Sequence, residues 1–247
     1  MRISEFLTYL FCPPKCASCG EAIGLSFLDS PLCPECQSKL QAESAAVCRR
    51  CKRPLVECLC SSEQVINGGC LFHTKLGLYH GGIREKAING IVFEIKRSAD
   101  KRLYEFLADK LCDSSAKALK RAVKMSGAKG AVITYVPRSS EAMIEYGHDQ
   151  AYLLALALSE RLGIPLVKIS VRGRRSDRKM KSLAYEERFA EADSSYLPSE
   201  DISSLEGIFT VIVDDVVTSG ASVLAVARIA LKNKARGFGV ISVGISK

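Results

Sequence analysis

Ten of the chain's eleven cysteines fall before residue 71, and eight of them form four close pairs: Cys16-x2-Cys19, Cys33-x2-Cys36, Cys48-x2-Cys51 and Cys58-x-Cys60. A C-x2-C turn aims two thiolates at one ion, and two such turns complete a tetrahedron. The thirteen residues between Cys19 and Cys33 are enough to bring the chain back for the second turn. Cys16, Cys19, Cys33 and Cys36 are therefore expected to hold one zinc. Cys48 and Cys51 begin a second site. Cys58 and Cys60 are preferred to complete it, despite their tighter spacing, with Cys70-x2-His73 as the alternative. A zinc held by four thiolates has no open position for water, so its role is structural and its binding energy is folding energy. Cys12 and Cys112 read as small apolar side chains.

This crowding places a domain boundary near Lys75, with a Cys-rich zinc-ribbon-like domain at 1–75 and a second domain at 76–247. The N-terminal "MRISEFLTYLFCPP" has an apolar stretch interrupted by Glu5. It reads as a short amphipathic helix rather than a secretory signal. No run reaches the roughly 18 apolar residues of a membrane span. A cytoplasmic location is expected, where a disulfide framework is not.

After Lys75 strand-like and helix-like runs alternate. "LFHTKLGLYH", "AVITYVP", "PLVKISV", "FTVIVDD" and "FGVISVGIS" read as strands. Helical runs are expected within 81–96, at 103–123, 150–162, 182–192 and 222–233. Aliphatic strands without polar alternation are buried on both faces, as parallel strands are. The fold class expected is α/β, a doubly wound, mostly parallel sheet.

In such sheets ligands sit beyond the carboxyl ends of the strands. "VIVDDVVTSGAS", residues 211–222, ends an apolar strand in Asp214 and Asp215 and continues into small and hydroxyl residues that open a helix. The helix's free N–H groups and positive dipole end suit an anion. Paired carboxylates would repel that anion but accept hydrogen bonds from two neighbouring hydroxyls. A cis-diol and a phosphate on one molecule describe a ribose 5-phosphate. The same acids could instead hold Mg²⁺ in a phosphoryl-transfer site, and a helix-capping Asp accounts for one carboxylate alone.

"VIVDDVVTSGAS" resembles the 5-phosphoribosyl-1-pyrophosphate (PRPP) signature of type I phosphoribosyltransferases. Together with the cysteine pairs, "LGLYHGGIREKAINGIVFEIKRSADKRL" and "VPRSSEAMIEYGHDQAYLLALALSERLG", the whole chain resembles the competence protein F (ComF) family. The resemblance implies a sheet of the type I phosphoribosyltransferase kind joined to a zinc ribbon. It implies PRPP bound with Mg²⁺, Asp214 and Asp215 on the ribose hydroxyls, Thr218, Ser219, Gly220, Ala221 and Ser222 around the 5-phosphate, and Val216 among the PRPP-binding residues. It further implies phosphoribosyl transfer to a nitrogen acceptor and a link to DNA uptake. The alternative is a non-catalytic nucleotide- or single-stranded-DNA-binding adaptor working with a DNA-uptake helicase or translocase. A homodimer is compatible with either.

The formal charge of +8 is concentrated. Lys168 to Lys181, "KISVRGRRSDRKMK", holds seven basic residues against Asp177, whereas residues 1–75 hold eight against seven acids. A local anion site is expected there. Arg174 and Arg175, with Arg172 and Arg178, could stabilise leaving pyrophosphate or track nucleic-acid phosphates. Lys96 and Arg138 are further candidates for the PRPP site. Lys96 reads equally as a cation ending a helix, and His148 and Gln150 lie nearby.

Overall fold

The computed structural model describes Tyr9 and residues 11–81, 86–173, 187–200, 202 and 204–246. The expected N-terminal helix falls almost entirely outside them, as do Arg174, Arg175 and Arg178.

Four strands form a parallel sheet in the order β1 (Cys70–Tyr79), β6 (Gly237–Ser246), β5 (Ile208–Val217), β2 (Gly130–Tyr135). All four are apolar runs of the kind a sheet covered on both sides requires. Alternate residues of β5 divide between two cores. Phe209, Val211 and Val213 face α3 (Ala87–Ile95), α4 (Lys101–Ser126) and α6 (Gln150–Leu162). Ile212 and Val217 face α8 (Ala221–Lys232). Helices thus lie on both faces, and the fold is α/β around a parallel sheet.

The expected strand "PLVKISV" is mostly absent as a strand of this sheet. Leu166 makes one isolated parallel bridge to Ile133. Further on, β3 (Ser170–Arg172) leaves the sheet and pairs antiparallel with β4 (Tyr196–Pro198), which follows α7 (Glu187–Ser195). The short α5 (Ser140–Tyr146), not anticipated, begins where Ser139 accepts a hydrogen bond from Ala142 N–H.

From β2 the chain moves outward to Leu166, while from β5 it moves the other way to β6. The direction of winding reverses between β2 and β5, and the crevice at their carboxyl ends is where such a fold binds ligands.

The Cys-rich segment is not set apart from this core. The division expected between residues 75 and 76 falls inside β1. Cys16, Ile23, Leu32, Cys36 and Leu40 belong to the same buried cluster as α3 and α4. Glu43, on α1 (Pro34–Ala45), accepts from the N–H groups of Ala87 at 2.8 Å and Ile88 at 3.1 Å, capping α3 from far away in sequence. Lying after the second cysteine set, α2 (Glu63–Asn67) packs against β1 and α8.

Candidate functional site

Asp214 and Asp215 emerge near the carboxyl end of β5, with Asp214 in register with Ser242 of β6. Asp215 is buried. One of its oxygens accepts from Val216 N–H at 2.7 Å; the other meets Lys96 Nζ at 3.2 Å and Gln150 Nε2 at 3.3 Å. Half-buried Asp214 accepts from Asp215 N–H at 2.9 Å. Burial, reinforced by the charge of Asp215, pushes the Asp214 carboxyl well above the usual range. Burial also resists ionisation of Asp215, but the Lys96 charge and the Val216 N–H outweigh it and hold that carboxyl below its ordinary value. Lys96 responds in kind: burial disfavours its charge, Asp215 favours it more, and the net shift is upward. The pair is therefore unequal. Asp215 is an anchored carboxylate, and Asp214 can carry a proton and donate or accept.

Behind the acids, residues 218–222 turn the chain into α8. Ser219 Oγ accepts from Ala221 N–H at 3.4 Å. Gly220, the N-cap, adopts φ +86°, where a side chain is strained. A Cβ there would also lie 2.1 Å from Val65 Cγ2 and 3.0 Å from Ser62 Oγ. Its smallness, expected to admit an anion, also admits Val65 of α2. Ser62 Oγ in turn donates to Ser219 C=O at 3.3 Å. The first-turn N–H groups of α8 lack intrahelical acceptors, so the loop offers donors to an anion at a positive helix end.

Acids and loop line one cleft of about 620 Å³. Lys96, Arg138, Gln150 and Arg172 share its wall, with Tyr79, Tyr146 and Tyr196. Every proposed site residue among those described on β5, α8 and their loop is brought together here. Arg138 is braced: its guanidinium donates to His148 C=O at 3.0 Å and to Lys96 C=O at 3.3 and 3.4 Å, and lies 4.3 Å from the Tyr146 ring centroid. Asp149 holds its backbone N–H at 2.8 Å while capping α6. Lys96 is committed to Asp215 rather than extended alone. Arg172, the one described arginine of the basic segment, lies over Tyr196 at 5.4 Å. Gln150 Oε1 is buried without a hydrogen-bond partner among the described residues. Of the tyrosines, Tyr79 is recognisable in sequence near the end of an apolar strand, whereas Tyr196 is not, because β4 has no signal of its own.

The cysteines assemble as two groups, Cys16/Cys19/Cys33/Cys36 and Cys48/Cys51/Cys58/Cys60, with the sulfurs of each group within 4.8 Å of one another. No cysteine is in a disulfide. Backbone N–H groups point at sulfur, Cys33 N to Cys16 Sγ and Cys60 N to Cys58 Sγ, both at 3.3 Å. Burial opposes ionisation of Cys16 and Cys48, yet such N–H groups outweigh it and lower them to about 7 and about 6. Burial pushes the thiols of Cys19, Cys36, Cys58 and Cys60 the other way, Cys58 up to about 12. The approach of four sulfurs to one point is what fits zinc in both groups. The alternative ligands go elsewhere: Cys70 donates to Phe72 C=O at 3.0 Å, and buried His73 bonds Ser61 Oγ at 3.0 Å and Ser242 Oγ at 2.7 Å. Buried Lys75 donates to the carbonyls of Cys58 (2.9 Å), Cys60 (2.6 Å) and His73 (3.1 Å).

No protein-family model matches the chain, and no curated protein matches it in sequence. Among the described residues, no helix is long and apolar enough to cross a membrane.

Proposed function

We propose that the chain binds PRPP in the cleft between β2 and β5 and transfers its phosphoribosyl group to a nitrogen acceptor. One observation carries the reading: an acid pair and an anion-accepting helix start open onto the same cleft at the winding switch. A diol needs both acceptors and donors, and the unequal Asp214/Asp215 pair provides them. The 5-phosphate takes the N–H groups and hydroxyls of residues 218–222.

In the reaction the C1–O bond breaks with its electron pair leaving on pyrophosphate. The acceptor's nitrogen lone pair forms the C1–N bond, and the nitrogen then loses its proton. Lys96, Arg138 and Arg172 place cations on the cleft wall, where charge grows on the leaving group. Arg174 and Arg175 extend that set in sequence. Mg²⁺ finds a partial fit: both oxygens of Asp215 are engaged, so Asp214 would hold it, and only after giving up the proton that burial favours. When bound it supplies charge neutralisation at the pyrophosphate. Closed all-sulfur zinc centres give the Cys-rich segment a structural part. A role in DNA uptake is what the ComF resemblance adds.

Calorimetry with Mg-PRPP tests the pocket. Binding is expected for the wild type, with at least a tenfold loss in Asp214→Asn/Asp215→Asn; no binding by the wild type, or equal binding by the variant, overturns it. Pyrophosphate release with a panel of bases and amines then tests turnover. The +6 balance of residues 168–181, seven basic against one acidic, favours the adaptor as a second reading. That reading expects single-stranded DNA binding that weakens steeply with salt and loses part of that slope in Arg174→Ala/Arg175→Ala.

A further inference from the structure

We infer that the second cysteine centre positions the anion-binding loop, with Ser62 and Val65 as the positioning residues, so that metal held at Cys48/Cys51/Cys58/Cys60 and a phosphate-bearing ligand in the cleft stabilise one another. This rests on the proposed reading only for the identity of the ligand; the mechanical coupling stands on contacts within the chain.

Two residues after Cys60, Ser62 reaches the loop, and three residues further on Val65 follows. Ser62 Oγ donates to Ser219 C=O at 3.3 Å and accepts from Val65 N–H at 3.4 Å to start α2. Val65 is fully buried and occupies the space a Gly220 side chain would need. The carbonyl of Ser219 and the left-handed turn at Gly220 fix the direction of the first N–H groups of α8, so whatever holds Ser62 and Val65 holds the donors. That hold comes from the centre and from β1 together. Cys58 and Cys60 supply two of its four sulfurs, and Lys75 grips the carbonyls of those same two residues from inside β1. His73, two residues before Lys75, ties Ser61 to β6 through Ser242. The segment 58–62 is thus pinned at one end by sulfur and along its length by β1.

Four thiolates around Zn²⁺ carry a net charge of about −2, and the buried Lys75 ammonium lies against the same two ligands. Withdrawing the metal leaves four sulfurs crowded within 4.8 Å with nothing to join them. The tether of Ser62 then loosens. Among the described residues the other centre reaches α3 instead: Ser18 of its first turn donates to Ala87 C=O at 3.3 Å and packs on Gly90.

By linkage the coupling is reciprocal, which gives a readout that a merely structural Ser62 would not move. In the zinc-loaded full chain, peptide-resolved alkylation reads thiol release at each centre. Mg-PRPP is expected to slow alkylation of Cys48, Cys51, Cys58 and Cys60 at least fivefold and to leave the other four within twofold. In the ligand-free protein, Ser62→Ala/Val65→Ala is expected to keep both zincs while amide exchange across 224–227, beginning with the Leu224 N–H that donates to Gly220 C=O at 2.9 Å, accelerates about tenfold. Glu43→Gln, which perturbs the α3 contact, leaves those amides unchanged. Cys48→Ser/Cys51→Ser should match the Ser62→Ala/Val65→Ala exchange pattern; if it does not fold, the latter variant decides alone. Unchanged exchange at the start of α8 in the Ser62/Val65 variant overturns the inference. So does PRPP binding with no selective protection of the second centre. If PRPP fails to bind at all, the pocket reading falls and the exchange arm still decides the coupling.

Discussion

The two cysteine centres share a four-thiol donor set and dock on the same sheet, but through different glycines and toward opposite sides of one cleft. The first centre meets α3. A Cβ on Gly90 would lie 2.1 Å from Ser18 C=O, between the two cysteines of the first turn, and α3 runs on into Lys96 and so to Asp215. The second centre meets the start of α8 through Ser62, Val65 and Gly220. Their surroundings differ as well. Cys16 and Cys36 are built into the main apolar cluster, whereas the second set faces a buried lysine and histidine. One centre leans on the helix that carries Lys96 to Asp215; the other meets, through Ser62 and Val65, the turn at Ser219 and Gly220 that starts α8. Equal chemistry has been placed to do unequal work.

The largest effect should come from removing one centre at a time. Structural zinc binding is worth about 10 kcal/mol or more, comparable to the whole stability of a domain, about 5–15 kcal/mol. Cys16→Ser/Cys19→Ser, which breaks a centre inside the core, is expected to abolish cooperative unfolding in calorimetry. Cys48→Ser/Cys51→Ser should retain a cooperative transition at a lower Tm. Indistinguishable traces would erase the contrast.

Next in size come the two glycines. Gly90→Ala drives a methyl into a backbone carbonyl that cannot swing away and should cost about 3 kcal/mol in urea unfolding. Gly220→Ala meets the end of a valine side chain at positive φ and should cost about 2 kcal/mol. Only Gly220→Ala should also weaken Mg-PRPP binding by more than tenfold, since only it lies in the loop. Equal binding losses would mean that the centres do not divide the cleft as described.

The smallest effect concerns Lys96, where α3 hands over to the site. Asp215 is held below its ordinary pKa, so its contribution is present above the unfolded value of about 4 and is lost as pH falls through the lower folded value. Lys96 is raised, so its contribution is present below about 10 and is lost as pH rises through the higher folded value. With Lys96 part-exposed, Lys96→Met should cost about 1 kcal/mol between those limits. The difference from wild type should shrink below about pH 4 and again above about pH 10. A pH-independent difference in urea unfolding would show that the pair contributes only packing.

Much of this was legible in the sequence because it is periodic or spaced. β5 reads as a buried strand ending in acids, α6 and α8 as helices, and both cysteine sets as metal knuckles, including the tight Cys58-x-Cys60 pair. What escaped was set by contacts between distant residues. Lys75 and His73 look like the polar positions of a half-exposed strand. Their burial is intelligible only once the carbonyls of Cys58 and Cys60 and the hydroxyls of Ser61 and Ser242 surround them. Gly220 looks like an invitation to a ligand, yet Val65 already fills its side. The "PLVKISV" run is apolar enough for a sheet strand, but after Leu166 the chain departs to make the β3–β4 pair that brings Arg172 and Tyr196 to the cleft. A segment rich in thiols hides its own helices, since α1 and α2 are fixed by Glu43, Ser62 and their neighbours on the sheet rather than by amphipathic spacing.

The place of β6 in the sheet has a consequence for how the protein comes off the ribosome. This strand lies between β1 and β5, with Cys70 opposite Phe238 and Asp214 opposite Ser242. Among the described residues, β1 has no sheet partner but β6, so its backbone ladder forms only once residues 237–246 have been made. Helix packing can join the Cys-rich segment to the core earlier, but the sheet itself is completed by a pairing between strands far apart in sequence.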